Sequence, residues 1–351
     1  MTAPQRTEGR LQFDLYALRV PLRQVPPLAS EAERLGFSGL WFTESAHNPF
    51  LPVGAAALVS ERLVLGTDVA VAFPRSPMVT AQAAWDLADA SGGRFVLGLG
   101  TQVKAHVERR FSTSFSHPGP RLREYVLALR AIWRAFQGEA PLKFSGDYYS
   151  FSLLTEFFSP GPIKTPDVPV YIAGVNAGMA RVAGEVSDGF HVHPLHSLRY
   201  LREVIGPAVA DGAARANRPA TDVALAVPVF MAVGDDDGAI EHRREALRRQ
   251  IAFYGSTPSY RAVFDLHGWG DTAAKLTTLQ RQGDYESMAD AVRDDMLDTF
   301  AVTSTWDQLA GKLLDRYAGT ATRVFPYGLV GWDDPASRER WAAVATAVQA
   351  G

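Results

Sequence analysis

The stretch Arg94-Phe-Val-Leu-Gly-Leu-Gly-Thr-Gln102 decides the fold prediction. Its first five residues, through Gly98, are mostly apolar and predict a buried strand. Gly98 and Gly100 would then let the backbone leave the sheet with no side chain in the way. Thr101 and Gln102 follow the C-terminal end of this strand, which is the edge where barrels of parallel strands carry their chemistry. The sequence therefore predicts a candidate site directly after this strand.

Strand patterns alternate with helix patterns along most of the chain. Helices are predicted at Pro26–Gly36, Val53–Ser60, Met78–Ser91 and Ala177–Val186. Besides the opening strand there are seven strand candidates, which are Leu11–Leu18, Gly39–Thr43, Leu63–Val69, Val168–Ala173, Asp188–Val192, Asp222–Ala232 and Thr322–Pro326. Short connections and nearly continuous apolar strands indicate a parallel α/β sheet, and eight strands are what a closed (β/α)8 TIM barrel requires. An open doubly wound sheet is less favoured because no glycine-rich dinucleotide turn follows the first strand.

Two segments interrupt this alternation. Residues 141–166 contain Phe144-Ser-Gly-Asp-Tyr-Tyr-Ser-Phe151, a turn flanked by aromatic residues that predicts a hairpin. Residues 234–304 are long, polar and helical in pattern, and we interpret them as an insertion at a strand end that contributes a lid or substrate loops. No linker divides the chain, so we expect one barrel domain over residues 1–351.

Composition restricts the classes of function. The net charge of −3 gives no reason to expect nucleic acid or a membrane surface as a partner. The absence of cysteine excludes disulfides and thiolate catalysis. No apolar run has the length of a membrane span, and the polar segment Met1–Arg10 lacks the apolar core of a signal peptide. We therefore expect a cytoplasmic protein that has neither nucleic acid nor a membrane surface as a partner.

Polar residues follow two other predicted strands. In Ala173-Gly-Val-Asn-Ala-Gly178, Gly174 would permit close backbone approach, and free N–H groups at the helix start favour an anion. The same residues also suit a tight turn in which Asn176 caps the helix. Glu44 and Ser45 end the second strand, where the carboxylate could accept hydrogen bonds from a cofactor or could lie exposed in a loop.

His191, His193 and His196 form an H-x-H-x-x-H array after the sixth strand. Alternation along an extended segment places His191 and His193 on one side. A metal site would need further ligands, and neither an HExxH motif nor a carboxylate cluster accompanies the array, so no metal is predicted. Histidines that line a substrate pocket, and that donate protons near neutral pH, are the favoured interpretation.

Several segments together resemble one family. The sequence resembles the luciferase-like monooxygenase superfamily and, within it, the branch of oxidoreductases that use coenzyme F420, a deazaflavin. The matching segments cover most of residues 11–193 and include the final strand. They are Leu65–Val69 with the loop Arg75–Pro77, Arg94–Thr101, Arg121–Tyr125 through Trp133, Gly146–Tyr149, Val168–Gly174 through Gly184, Asp188–Gly189 and Arg323–Pro326.

The resemblance implies a bacterial-luciferase-like TIM barrel with the deazaflavin at its C-terminal mouth, and it implies a homodimer. The positions that correspond to cofactor contacts are Glu44, Thr101, Gln102 and His106. Asp68-Val69 corresponds to a non-prolyl cis peptide that forms a bulge behind the ring. The backbone loop that holds the cofactor phosphate corresponds to Ala173, Gly174, Val175 and Asn176.

Two acid–base residues of the family are missing. Sugar-phosphate dehydrogenases of this branch have a catalytic histidine directly after the second-strand carboxylate, where this chain has Ser45. They also have a glutamate two residues after the strand-end threonine, where this chain has Val103. We therefore do not expect a glucose-6-phosphate dehydrogenase. The candidates for supplying a proton instead are His47, His106, His191 and His193.

The main hypothesis is an F420-dependent oxidoreductase that transfers a hydride between C5 of the deazaflavin and a small organic substrate. The protein would contribute orientation and exclusion of water. An FMN-dependent luciferase-like monooxygenase is the second hypothesis. A non-catalytic F420-binding protein is the third, because both acid–base residues are absent.

Overall fold

A ring of parallel strands organises the computed structural model, which describes residues 9–328 and 331–351. Residues 1–8 lie outside the described residues. They belong to the N-terminal segment for which no signal peptide is expected. The strands are β1 (Gln12–Phe13), β2 (Leu15–Ala17), β3 (Gly39–Phe42), β4 (Val64–Thr67), β5 (Ala70–Val71), β6 (Phe95–Gly100), β7 (Phe144–Ser145), β8 (Ser150–Phe151), β9 (Val170–Gly174), β10 (Gly189–Val192), β11 (Ala224–Gly234), β12 (Ala301–Thr305) and β13 (Arg323–Pro326).

Helices follow most of the strands and cover the outside of the ring. They are α1 (Val25–Arg34), α2 (Phe50–Ala57), α3 (Pro77–Ala90), α4 (Lys104–Arg109), α5 (Pro118–Phe136), α6 (Ala177–Val186), α7 (Leu198–Tyr200), α8 (Gly206–Arg215), α9 (Asp237–Gly255), α10 (Arg261–Leu266), α11 (Gly270–Gln282), α12 (Tyr285–Asp290), α13 (Asp294–Phe300), α14 (Trp306–Tyr317) and α15 (Pro335–Ala350). A π-helical turn, Leu201–Ile205, joins α7 to α8.

The ring is completed at Asp14. β1 pairs with β13, and β2 pairs with β3, so the two pieces of the first strand connect the two ends of the sheet. Between them, the Asp14 carboxylate accepts hydrogen bonds from Arg323 at 2.6 and 2.8 Å and from the Trp41 indole at 2.8 Å. These contacts join three strands inside the barrel. The architecture is the predicted (β/α)8 TIM barrel, with all strand pairs of the ring parallel.

The core has two layers. Inside the ring, Trp41 stacks on Tyr171 at 6.0 Å and on Phe325 at 6.5 Å between ring centroids. Outside, helix side chains such as Trp85 and Phe136 are buried against one another and against the strands. Burying each such aromatic side chain stabilises the fold by about 1.5–3 kcal/mol. The interior of the ring is therefore a packed aromatic plug.

The boundaries of α3 show how local sequence sets these helices. The Ser76 hydroxyl accepts a hydrogen bond from the Met78 N–H at 3.2 Å, and Pro77 occupies the first turn, where its missing N–H costs nothing. Gly92 and Gly93 follow the helix with φ of 62° and 86°, a conformation that glycine adopts readily. The predicted helix Met78–Ser91 agrees with this element to within one residue.

All eight predicted strands are present, but the predicted end of one strand and the predicted helical character of the segment 234–304 were wrong. The opening strand does not end at Gly98, because β6 continues to Gly100. The segment 234–304 is not only helical, since it ends in the strand β12, which pairs in parallel with the last five residues of β11. The β-branched run Ala301–Thr305 was the available signal for this ninth strand.

The predicted hairpin is confirmed, and it is held by α5. β7 and β8 pair antiparallel. The Glu124 carboxylate accepts the backbone N–H groups of Asp147, Tyr148 and Tyr149 at 2.6–2.8 Å. A Cβ on Gly146 would lie 2.3 Å from this carboxyl group, so a larger residue would require the Glu124 side chain to move. Two segments that carry the family resemblance thus contact each other directly.

Candidate functional site

A cavity of about 710 Å³ opens above the aromatic plug, at the C-terminal ends of the strands. This volume is typical of pockets for cofactors and small molecules. Eleven residues predicted for the site lie in its lining, and they are Glu44, Asp68, Val69, Thr101, Gln102, Ala173, Gly174, Val175, Asn176, His191 and His193. Strand ends far apart in sequence therefore meet here, as the barrel topology requires.

His47 and His106 lie elsewhere. Both side chains are exposed and neither belongs to the cavity lining, so their proposed roles stay predictions without support from this cavity. His196 is buried beneath the lining, where its two ring nitrogens lie 3.0 Å from the His193 carbonyl and 3.1 Å from the Tyr317 hydroxyl. In residues 9–328 and 331–351, no three His, Asp or Glu side chains are grouped so as to hold a metal ion.

Glu44 is buried and paired, so the exposed-loop alternative for this residue was wrong. Arg75 donates to both carboxylate oxygens at 2.7 Å, and the Val71 N–H donates to one of them at 2.7 Å. The side chains of Glu44 and Arg75 are only 5% and 17% exposed. Such a bidentate pair fixes the planes of both groups. The pair forms a rigid charged element of the wall.

The two glycines of β6 serve close packing. Thr67 Oγ1 donates to the Gly98 carbonyl at 2.7 Å and accepts from the Gly98 N–H at 2.9 Å. These two hydrogen bonds replace those of the sheet where the chain bulges between β4 and β5. A Cβ on Gly98 would lie 1.8 Å from the Thr67 carbonyl oxygen, and one on Gly100 would lie 2.6 Å from Val69. The glycines therefore accommodate the bulge at Asp68-Val69 within the strand.

The peptide bond between Asp68 and Val69 is cis, as the family resemblance predicts. The Tyr16 hydroxyl donates to the Asp68 carbonyl at 3.2 Å. At the neighbouring strand end, Gln102 adopts a left-handed φ of 57°, and its side-chain oxygen accepts the Val103 N–H at 2.9 Å. These local hydrogen bonds define the shape of the backbone along this side of the cavity.

His191 and Asp68 lie side by side in the lining with unused hydrogen-bonding groups. His191 is 1% exposed, and neither ring nitrogen has a hydrogen-bond partner among the described residues. Its Nδ1 lies 3.4 Å from Asp68 Oδ1, without the alignment of a hydrogen bond. Burial raises the pKa of the Asp68 carboxyl to about 7, whereas burial and the nearby Arg323 guanidinium lower the pKa of His191 to about 3.

His193 is fixed by aromatic rings of the helical segment between β11 and β12. Its ring stacks on Tyr260 at 4.3 Å and meets Tyr254 edge-on at 4.7 Å between centroids. Burial and the neighbouring His196 lower the pKa of His193 to about 3, so the ring is neutral at physiological pH. Its Nδ1 accepts the Leu195 N–H at 3.1 Å, which leaves the ring proton on Nε2. The expectation that this histidine and His191 titrate near neutral pH was wrong, because both are buried.

The N-terminus of α6 borders the cavity. Asn176 precedes the helix, but its side chain does not cap it and instead donates to the Ser259 carbonyl at 3.2 Å. The N–H groups of the first helical turn are therefore left without a side-chain cap. A Cβ on Gly178 would meet no atom within 4 Å, so open space lies beside this helix start. Gly174 has a packing reason of its own, since a Cβ there would lie 2.5 Å from Met179.

Sequence patterns alone missed several residues of the lining. Tyr16 and Tyr327 stack at 5.6 Å, and the Tyr327 hydroxyl lies 2.7 Å from the Tyr254 hydroxyl. Ser259 and Tyr260 reach the cavity from the segment between α9 and α10. Aromatic residues in strands and helices are usually core residues, so no local signal distinguished these. Ser259 and Tyr260 thus bring part of the 234–304 segment to the cavity, while its role as a lid or substrate loop stays a prediction.

Comparison with known proteins identifies the family. The family model of luciferase-like monooxygenases matches residues 4–323, so the chain belongs to this family. An uncharacterised protein of Mycobacterium tuberculosis is 45% identical over 305 residues, which are 87% of this chain and 90% of that protein. The 5,10-methylenetetrahydromethanopterin reductase of Archaeoglobus fulgidus is 28% identical over 311 residues, or 86% of this chain and 88% of the reductase.

A solved structure shares the fold. The coenzyme F420 dependent tetrahydromethanopterin reductase of Methanopyrus kandleri superposes with a TM-score of 0.75 at 20% identity, covering 96% of this chain and 97% of the reductase. The family supports an oxidoreductase acting on a small molecule. Among the described residues, no helix combines the length and the apolar character that crossing a membrane requires.

Proposed function

We propose that the protein is an F420-dependent oxidoreductase that transfers a hydride between the deazaflavin and a small organic substrate. The observation that carries the proposal is the convergence of eleven predicted residues on one cavity of about 710 Å³ at the strand ends. The relationship to F420-dependent reductases supports the choice of cofactor. Reduction of an unsaturated or carbonyl compound and oxidation of an alcohol are both within this proposal.

The residues present fit such a cofactor. The uncapped helix start at Ala177, with open space beside Gly178, suits a phosphate because unpaired N–H groups and the helix dipole favour negative charge. The Asp68 carboxyl, which lines the cavity beside the unpartnered His191 ring, suits a polar atom of a heterocyclic ring or of a substrate. Both observations indicate a ligand with an anionic end and a polar ring system.

Each part of the lining has a role in this proposal. Bound F420 would supply a carbon centre that gives or takes a hydride. Gly174 to Asn176 would hold its phosphate, and Glu44, Asp68-Val69, Thr101 and Gln102 would hold the remainder. His193 would orient the substrate through its Nε2–H, since its other nitrogen is already bonded. Tyr260 and its neighbours in the 234–304 segment would exclude water.

The cofactor assignment has a direct test. Purified protein is titrated separately with F420 and FMN, and binding is followed by absorbance and by equilibrium dialysis. We expect saturable F420 binding, and turnover of F420 or its reduced form with at least one member of a panel of alcohols, aldehydes and enones. Tight FMN binding without F420 binding would establish the second hypothesis, a flavin monooxygenase, instead. F420 binding with no turnover across the panel would favour the non-catalytic hypothesis.

The phosphate position is tested with a matched pair of variants. Gly178→Asp and Gly178→Asn add side chains of nearly equal size into open space, and only the first adds charge. A carboxylate within a few ångströms of the phosphate costs roughly 1–4 kcal/mol, depending on the local dielectric. We expect Gly178→Asp to weaken F420 binding at least tenfold relative to Gly178→Asn. Equal affinities would remove the phosphate from this helix start.

A homodimer and a cytoplasmic location are also part of the proposal. Sedimentation velocity of the purified protein tests the first, and fractionation of the producing cells tests the second.

A further inference from the structure

The Asp68–His191 pair is the least satisfied polar element of the cavity wall. A neutral imidazole has one donor and one acceptor, and both are unused in His191 although the ring is buried. Leaving buried groups of this kind unpaired costs free energy, and folded proteins rarely do so. Among the described residues, the Asp68 carboxyl has no hydrogen-bond partner either, and its side chain is 12% exposed.

The two groups have different positions relative to the cavity. Asp68 follows β4 at the bulge and faces the open space. His191 lies deeper, because its Nε2 is against Gly98, where a Cβ would approach it to 2.9 Å. Trp41 and Tyr171 pack on the ring at 5.0 and 5.3 Å between centroids and hold its plane. A ligand can therefore reach the Asp68 carboxyl, while His191 contacts that carboxyl from behind.

The surroundings do not force Asp68 to be ionised. Arg323 is the cation whose charge acts on His191, and its guanidinium is already bonded twice to Asp14. The other titratable groups facing the pair are the hydroxyls of Tyr16, Tyr171 and Tyr327. Burial raises the pKa of Tyr16 and Tyr327, so these phenols stay protonated and bring no charge. A carboxyl in this environment keeps its proton near neutral pH.

From this geometry we infer that Asp68 is the acid–base residue of the site, and that His191 is a positioning residue that shares its proton through Nδ1. The inference rests on the proposed oxidoreductase function. It assigns proton transfer to a carboxyl in the bulge after β4, and it accounts for the absence of the two family acid–base residues at Ser45 and Val103. It also implies a substrate whose reacting atom is a carbonyl or alcohol oxygen.

The proton transfer balances the redox step. In the reductive direction, bound reduced deazaflavin would supply the hydride, with its electron pair, that the carbonyl carbon gains as the carbon–oxygen π bond breaks. The Asp68 proton passes to the oxygen, and solvent reprotonates the carboxylate. In the oxidative direction, the ionised Asp68 accepts the alcohol proton as the hydride leaves carbon.

The protonation state of the pair can be measured without turnover. Protein labelled at aspartate carboxyls and histidine ring nitrogens is titrated by NMR between pH 5 and 9. We expect one buried carboxyl that titrates near pH 7 together with a shift of the His191 nitrogens, and we expect both signals to be absent in Asp68→Asn. Asp86→Asn, on the outer face of α3, is the control that leaves them unchanged. A carboxylate ionised throughout this range would overturn the inference.

Kinetics test whether the pair is used. With a carbonyl substrate, we expect kcat to fall above about pH 7 in the wild type, because the acid loses its proton. Asp68→Asn should lower kcat by about 10²- to 10⁴-fold and remove this pH dependence. His191→Phe should displace the pH inflection and lower kcat with KM unchanged. Normal kcat in Asp68→Asn would refute the catalytic role, whereas F420 binding without any wild-type turnover would refute the proposed function.

Discussion

The contact that completes the barrel offers a sharp test of the fold. Asp14 is fully buried, and its carboxylate accepts two hydrogen bonds from Arg323 and one from Trp41. Asp14→Asn keeps the shape of the side chain but removes its charge and turns an N–H group toward the donors. The Arg323 side chain, only 10% exposed, would then be a buried cation without a counterion.

The expected cost follows from this burial. Removing one partner of a buried ion pair destabilises a protein by about 3–5 kcal/mol, because the other charge remains desolvated. Unfolding entropy is about 2.1 cal/mol/K per residue, which gives roughly 0.74 kcal/mol/K for this length. The melting temperature should therefore fall by about 4–7 °C. The effect should exceed that of any surface ion pair.

Calorimetry and urea unfolding measure the change, with Asp211→Asn as the control. Asp211 pairs with Arg181 and Arg215 at the surface, where its side chain is 44% exposed, so its removal should cost much less than the removal of the Asp14 charge. A second variant, Asp14→Asn combined with Arg323→Met, should recover part of the loss because the unpaired cation is gone. If Asp14→Asn costs no more than the control, the reasoning about barrel closure is wrong.

Three further predictions concern the site and its supports. Gly98→Ala should lower stability by at least about 1–3 kcal/mol in urea unfolding, because its Cβ would overlap the Thr67 carbonyl, whereas Gly54→Ala, with ordinary contacts, should be neutral. Arg75→Met should lower stability by about 3–5 kcal/mol and weaken F420 binding in the same titration, because it leaves Glu44 buried without its cation. Stability should fall as pH drops from about 6.5 toward 4, measured by urea midpoints. In that range the histidines of the unfolded chain gain protons, whereas burial keeps His191, His193 and His196 neutral in the folded state. The raised pKa of the Asp68 carboxyl acts in the opposite direction, but it is one group against three.

Much of the barrel was predictable because its signals are local. Apolar runs bounded by glycine and polar residues indicated eight strands, and the helix α6 was predicted with its observed bounds. The strand Ala301–Thr305 was missed because it ends a long polar helical segment, and its burial depends on pairing with β11. Strand ends also predicted eleven residues of the cavity lining, because parallel topology brings the ends of the strands together whatever the side chains are.

The states of the site residues could not be predicted in this way. The Asp68 carboxyl lies beside His191, and the two are far apart in the chain. Neither residue has a local pattern that indicates a raised or lowered pKa, because desolvation depends on what the fold packs around it. The pairing of Glu44 was also not predictable from local sequence, because its partner Arg75 lies 31 residues away.

The sequence by itself determined the alternation of strands and helices, the order of the strand ends and, through its resemblance, the family. The alternation and the strand ends depend on periodicity and on glycine positions, which act over a few residues. Only the tertiary structure decided that Asp14 meets Arg323 across 309 residues, that Gly98 and Gly100 accommodate a bulge within the strand, and that His191 is neutral behind Asp68. Ion pairing, close packing and desolvation arise between distant segments, so they come into existence only when the barrel closes.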